Sequence, residues 1–322
     1  MSLSDMKVYQ TEIETTALEL VGQKIDSFNA ASGGTVVLNA DAWKGDYSTQ
    51  SFYNQLVGAR RRVDRYAANG AQASTALTQG EMSGVKVAGG FGPVLFEPAQ
   101  MTWLQKSPEE AIMVIAEGFA DALLQDQLNS AIAAGVAAVE NQAALTNDVS
   151  ASAAMTYTAI NGSHAKFGDM SGLLLADVMT GAAYHKLVDF NLANSNQLFV
   201  AGNVQVVNIL GKVAVISDIP SLYEAGTPNK SKVLSVTASG IVVDNSTDIV
   251  TNMETTNGKD RIETTWQADY TFGLKLKGYS WDITNGGKSP TDAEIATGTN
   301  WDKAVTEDKH TLGTIAIADA DL

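Results

Sequence analysis

The sharpest pattern in the chain is an alternation of apolar and polar residues from Thr264 to Leu276. Thr264, Trp266, Ala268, Tyr270, Phe272, Leu274 and Leu276 share one parity, and Thr265, Gln267, Asp269, Thr271 and Lys275 the other, with Lys277 following. Period two predicts a strand with one buried and one wet face. At ~3.3 Å per residue the run spans ~43 Å, past the usual limit of about 10 residues, so it needs a long partner. A second run supplies one. Ile112, Ile115, Phe119, Leu123, Leu124, Leu128, Ala131 and Ile132 recur at helical spacing and predict a helix from Ser107 to about Gln142. Such a helix is ~50 Å long, against a globular mean of ~11–12 residues. Ser107 and Glu110 suit a capping box and Pro108 the first helical position. Gly118 and Gly135 inside it mark a bend or a close contact.

The remaining pattern is weaker. Residues 1–34 carry one helical patch, Ile13, Ala17, Leu20 and Val21, ending at Ala30-Ala31-Ser32-Gly33-Gly34, a flexible hinge by composition. This segment reads as an arm that packs on something else, a neighbouring subunit being one candidate. A short strand at Thr35–Leu38 follows, then Trp43, Tyr47, Phe52 and Tyr53, then Arg60-Arg61-Arg62 and Arg65. After a small, polar stretch to Thr78 the chain returns through Val85-Lys86-Val87, Gly89-Gly90-Phe91-Gly92-Pro93 and the strand Val94–Phe96. The glycine run reads as a turn, since a phosphate loop would open a helix rather than a strand. With so little core, residues 35–96 predict an extended two-stranded excursion that serves a partner.

Beyond the long helix, Ala143–Met155 reads as a linker. Short apolar runs at Leu173–Ala176, Val204–Val207, Val213–Ile216, Val233–Val236 and Ile241–Val243, with a helix capped by Thr180, predict an inserted α/β unit. The tail from Asn285 is glycine-rich and acidic and reads as a loosely held appendage.

Composition narrows the function classes. The chain has 322 residues, 45% of them hydrophobic, enough for a sizeable core. A net charge of −15 argues against indiscriminate nucleic-acid binding. Without cysteine there is no disulfide, thiolate metal site or cysteine nucleophile. No secretory signal precedes the first patch and no run of 18 or more apolar residues occurs, so the chain reads as soluble and intracellular.

Taken in order, the chain has an arm, an extended loop, a long helix, an inserted α/β unit and a long return strand. It resembles the major capsid (coat) proteins of tailed bacteriophages, which share the Hong Kong 97-like fold. The likeness is carried by Gly92-Pro93-Val94 with Trp103 leading into the helix, and by Gly172-Leu-Leu-Leu-Ala176 before Ala183-Tyr184-His185. Val213–Pro220 and Tyr270–Trp281 continue it, over residues 35–283. The resemblance implies an α+β fold with an N-terminal arm at 1–34 and an extended loop at 35–100. It implies a peripheral domain at 101–155 and 259–285, an axial α/β domain at 156–258 and a tail at 286–322. It further implies a virion protein, assembled in the host cytoplasm from pentamers and hexamers into an icosahedral shell. The shell would enclose double-stranded DNA without reading its sequence. Scaffold, portal or decoration proteins are candidate partners, and no enzyme activity, cofactor or membrane is implied. An encapsulin-like compartment, with the same fold around protein cargo, is the nearest alternative; a soluble α/β enzyme or ligand-binding protein is the next.

Chemistry gives little to set against this. His164, His185 and His310 stand in no H-E-x-x-H or H-x-E context, and there is no G-x-S-x-G elbow or Walker loop. His185 reads as structural. Asp244, Ser246, Asp248 and Asn252 have the spacing of a calcium loop, but Ile249 takes the glycine position and Thr255 the glutamate position, so an acidic turn is the better reading. No catalytic, cofactor or metal residue is assigned. The one local anomaly is the cluster Arg60, Arg61, Arg62 and Arg65. It is either a solvated helix face with partners such as Asp64, or a clamp on an acidic neighbouring subunit, or a nucleic-acid contact. Arginine suits a clamp because its planar fork binds carboxylates bidentately.

Overall fold

A computed structural model describes residues 3–39, 43–54, 56, 59–97, 108–193, 208–209, 211–245, 249–258 and 260–322. It begins with a helix, α1 (Leu3–Ala31). Ile13, Ala17, Val21 and Ile25 recur at helical spacing along α1 and are all buried. This stripe does not wait for a second subunit. It packs on the chain's own long helix, α2 (Pro108–Glu140), in one apolar cluster with Ala116, Phe119, Ala120 and Leu123. The Lys24 ammonium also donates to Asp121 of α2. Nor is the glycine pair a hinge: Gly33 and Gly34 take positive φ (63° and 72°), and the Ser32 N–H returns to the Phe28 carbonyl at 2.8 Å. That is a helix stop, and it turns the chain into the first strand.

The strands before α2 are β1 (Val36–Asn39), β2 (Tyr47–Tyr53) and β3 (Gln79–Phe96). After it come β4 (Thr146–Asp148), α3 (Tyr157–Ala165), β5 (Leu174–Met179), α4 (Gly181–Ala193), β6 (Asn208–Ile209) and β7 (Lys212–Ile216). Next are β8 (Tyr223–Glu224), β9 (Lys230–Thr237), β10 (Ile241–Asn245), β11 (Val250–Thr256) and β12 (Glu263–Leu276). The chain closes with β13 (Tyr279–Trp281), α5 (Asp292–Ile295), β14 (Trp301–Lys303) and β15 (Gly313–Asp319). Ser107, Trp103 and the expected strand Val204–Val207 lie outside the described residues.

The first sheet has the order β1-β10-β12-β3-β2, with β11 also on β12. Its centre is the alternating run, and the even residues from Thr264 to Leu276 are indeed buried while Gln267 and Asp269 are exposed. Along one edge of β12 lie β10 (Ile241↔Leu276 to Asn245↔Phe272) and β11 (Val250↔Asp269 to Thr256↔Glu263), end to end. Along the other runs β3, from Thr264↔Phe96 to Leu274↔Val85. By composition Gly89–Pro93 is a turn; in the structure it lies inside β3. A Cβ on Gly89 would sit 2.6 Å from Tyr270 Cε2, and one on Gly92, at φ +97°, 2.8 Å from the Trp266 carbonyl oxygen. The glycines therefore serve close approach rather than chain reversal, at a bulge in the ladder between Trp266 and Ala268.

The second sheet has the order β4-β15-β9-β5-β7-β6, with β8 on β9. It overturns the reading of the tail as an appendage. All seven residues of β15 are buried, between β9 (antiparallel) and β4 (parallel). Thr314–Ala318 is a short, nearly apolar run of the kind a strand covered on both faces needs, and the polar residues around it mask it in composition. The linker reading of 143–155 falls for the same reason: β4 lies there, and Leu145 and Met155 are buried. A division at 156–258 does not follow the sheets either, because β10 ladders with β12 and β15 with β9.

Between the sheets runs α2. In its first half the Phe119 ring meets Trp266, Phe91 and Tyr270, with centroids 5.5, 5.6 and 6.1 Å away. In its second half nearly every residue from Ser130 to Val139 is buried, as a helix enclosed on all sides must be. The Tyr270 hydroxyl donates to Asp126 Oδ2 at 2.7 Å and pins helix to strand.

Candidate assembly interface

The first half of β3 reaches beyond β12 and pairs with β2 alone, from Tyr47↔Val85 to Tyr53↔Gln79. With 18 residues, β3 is ~60 Å long at ~3.3 Å each. The Asn54 N–H donates to the Thr78 carbonyl at 2.9 Å, and Asn54 Nδ2 to Thr78 Oγ1 at 3.1 Å, closing the stem. Beyond the stem, residues 56 and 59–78 are exposed and form neither helix nor strand. Even the large apolar side chains are out in water: Leu56, Val63, Leu77 and Tyr66, the last 92% exposed.

All four arginines stand on this loop. Arg60, Arg61, Arg62 and Arg65 are exposed and lie on coil, so the helix-face reading is corrected. Asp64, the carboxylate expected to neutralise them, instead accepts from the Tyr66 N–H at 2.9 Å. The Arg65 guanidinium lies 6.0 Å from the Tyr66 ring centroid, at the outer limit of a cation–π contact. Among the described residues none of the four is ion-paired. The loop thus carries charged donors and large apolar side chains in water, beyond the closed stem.

Sequence reasoning passed over a buried polar cluster. His164 Nε2, on α3, lies 3.0 Å from Asp177 Oδ1 of β5 and 3.0 Å from Ser235 Oγ of β9, and the serine hydroxyl donates to the same Oδ1 at 2.6 Å. One ring nitrogen faces both partners, so the imidazole cannot relay a proton from serine to aspartate as a hydrolase triad does. All three side chains are buried, and they lock α3 onto the second sheet. The available signal was a single aspartate in Leu174-Leu-Ala-Asp-Val-Met179, but the Asp177↔Ser235 register that completes the cluster is not written in either segment. His185 is exposed beside the Tyr184 ring. Of the calcium-like set, Asp244 sits on β10 and pairs with Lys275 Nζ at 2.7 Å, Asn252 sits on β11, and Ser246 and Asp248 lie outside the described residues. Among the described residues no group of three or more His, Asp or Glu side chains is placed to hold a metal.

Residues 5–315 match the model of the Gp13-like family, described as major capsid protein 13-like. The chain belongs to this major capsid protein family. The capsid asymmetric unit of cyanophage Pam1 shares its fold, with a TM-score of 0.57 at 12% identity over 88% of each chain. A protein of Microbacterium phage Oxtober96 aligns over 90% of each chain at 12% identity and TM-score 0.49. The capsid of Helicobacter pylori bacteriophage KHP30 aligns at 10% identity and TM-score 0.48 over 91% of this chain and 89% of that one. No curated protein matches the sequence. This Gp13-like capsid protein is a structural subunit of a phage capsid shell with the Hong Kong 97-like α+β fold, and the encapsulin and enzyme alternatives are not favoured. Among the described residues no helix is long and apolar enough to cross a membrane.

Proposed function

We propose that copies of this capsid protein form pentamers and hexamers that close into an icosahedral shell around double-stranded DNA, assembled in the host cytoplasm. The observation that carries this reading is the β2–β3 hairpin, whose loop is exposed at every described residue and whose outer half, Gln50–Tyr53 with Gln79–Met82, holds no fully buried residue. Holding a chain extended costs about 1–2 kcal/mol of entropy per residue, so such an element is worth keeping where a neighbour covers it. Head-to-tail contacts of this kind generate rings when the rotation closes. In this reading Arg60, Arg61, Arg62 and Arg65 grip carboxylates of the adjacent copy. The first sheet with α2 forms the peripheral part, and the second sheet meets its copies around the capsomer centre. With a net charge of −15 the shell encloses DNA without holding its phosphates generally.

The test is electron microscopy and sedimentation of protein expressed with and without the other head genes of its phage. Closed particles of uniform size are expected, containing nuclease-protected duplex DNA when packaging proteins are present. Protein that stays monomeric in every condition would overturn the shell, and particles that exclude DNA in the presence of packaging proteins would overturn its content.

A further inference from the structure

The first sheet has a second face, turned away from α2, and the Trp43 side chain packs against it. A Cβ on Gly273 would sit 1.9 Å from Trp43 Cε3, and one on Gly84 3.0 Å from Trp43 Cη2. The indole therefore lies against the sheet only because both positions are glycine. Its Nε1–H donates to the Gly45 carbonyl at 2.8 Å, which fixes the ring.

Beside Trp43 opens a groove of about 770 Å³, bounded by β2, the end of β12 and β10. Three cations line it: Lys44, Lys275 and Lys277. Lys275 Nζ sits 4.8 Å from the Trp43 ring centroid and 2.7 Å from Asp244 Oδ2, so one charge is answered. Among the described residues the other two are not. Lys277 Nζ reaches only neutral oxygens, Thr237 Oγ1 at 3.3 Å and the Ala238 carbonyl at 3.4 Å. Partial burial pulls its pKa below the usual lysine value, the mark of a cation losing water without gaining a counter-charge. Lys44 has no carboxylate partner among the described residues. Tyr47 also lines the groove, and its hydroxyl is shut off from water with nothing to bond. In a chain with 36 acidic and 21 basic residues, a concave site with a surplus of positive charge is the exception.

We propose that this groove receives an acidic, extended segment of a second copy of the chain. The proposal rests on the shell reading for its second copy and adds the place where that copy docks. Charge complementarity selects the occupant, since the chain carries 36 acidic residues against 21 basic ones. The groove offers two ammonium groups with no carboxylate partner among the described residues, beside a flat aromatic wall. Its volume is in the range that holds a drug-sized ligand, which is a few side chains and not a duplex. Aspartate or glutamate at Lys44 and Lys277 gains charge-assisted bonds.

The test uses particles assembled from equal parts of ordinary and ¹⁵N-labelled protein, treated with a carbodiimide that joins lysine to carboxylate with no spacer. A mixed-isotope peptide linking Lys44 or Lys277 to an aspartate or glutamate is expected. Acetylation of both lysines should also be at least ~10-fold slower in particles than in free subunits, because a covered group reacts only through opening. Protection must persist in DNA-free particles; if it vanishes there, nucleic acid fills the groove and the proposal is wrong. Particles whose lysines react as fast as in free subunits would overturn the docking site alone, whereas failure to form particles would overturn the shell reading with it.

Discussion

Gly135 of α2 and Ile241 of β10 pack so closely that no methyl group fits between them. A Cβ on Gly135 would sit 2.8 Å from Ile241 Cδ1 and 3.2 Å from Leu234 Cδ2. Ile241 belongs to the first sheet and Leu234 to the second, so at this one residue the helix backbone touches both. Gly135→Ala gains about 1 kcal/mol of helix propensity but overpacks a site whose neighbours are fully buried, at about 1–3 kcal/mol. A net loss of about 1 kcal/mol is expected in urea denaturation of free subunits. Ile241→Val alone costs about 0.5–1.5 kcal/mol. In the Gly135→Ala background it removes the clashing methyl and should cost almost nothing. Strict additivity of the two changes would contradict the contact.

The buried tail strand gives a second expectation. Ile315→Ala on β15, at a fully buried position, should cost about 2–5 kcal/mol. Ile283→Ala, at a position 46% exposed, should stay within about 0.5 kcal/mol. Equal and small effects in chemical denaturation would return the tail to a loose appendage.

What was legible in the sequence was what a single period writes into a single segment. Thr264–Leu276 announces β12 because one face is buried and the other is partly open to water, and Ile115–Ile132 announces α2 by its helical spacing. Segments whose environment is set by distant partners were misread. Gly89–Pro93 looks like a turn until Tyr270 and Trp266 are seen pressing on it, and Thr314–Ala318 lacks alternation because both its faces are covered. The α1 stripe was found, but its docking site was not, because a helical stripe does not say which apolar surface it meets. The arginine cluster stood out by charge; its exposure, and the withdrawal of Asp64 to the Tyr66 amide, are facts of the fold.

Asp126 makes a prediction about pH. Burial lifts its carboxyl above the ordinary 3.8 and the Asp292 charge adds to the lift, while the bond from the Tyr270 hydroxyl pulls the other way. Because the folded value is the raised one, Asp126 costs nothing below the unfolded value near 3.8. Stability is lost as pH rises through the folded value. Asp126→Asn keeps an acceptor for Tyr270 and removes the titration. Its stability relative to the parent should therefore climb between pH 3 and pH 7 and then level off. A difference that ignores pH would show that the carboxyl does not titrate in this way.

The loop arginines are tested by Arg61→Glu with Arg62→Glu. Both positions are exposed and have no ion-pair partner among the described residues, so melting of the free subunit should move by no more than about 0.5 kcal/mol. Covered arginine–carboxylate contacts are worth about 1–3 kcal/mol each, and reversing two charges at every copy of the contact should abolish particles or make them fall apart in moderate salt. Normal particles with unchanged salt and heat resistance would leave the cluster as solvated surface charge.

The place of β15 constrains the order in which the subunit can come into being. Its two neighbours, β4 and β9, are made well before it, yet they share no ladder with each other and are joined only through it. Until residue 319 has been synthesised, each of them presents an unpaired edge, which is a template for mispairing with another chain. Closing contacts so distant in sequence also slows folding. A nascent chain therefore cannot present a finished second sheet to its neighbours ahead of time. Synthesis as far as β15 is the step that closes both edges and completes the second sheet.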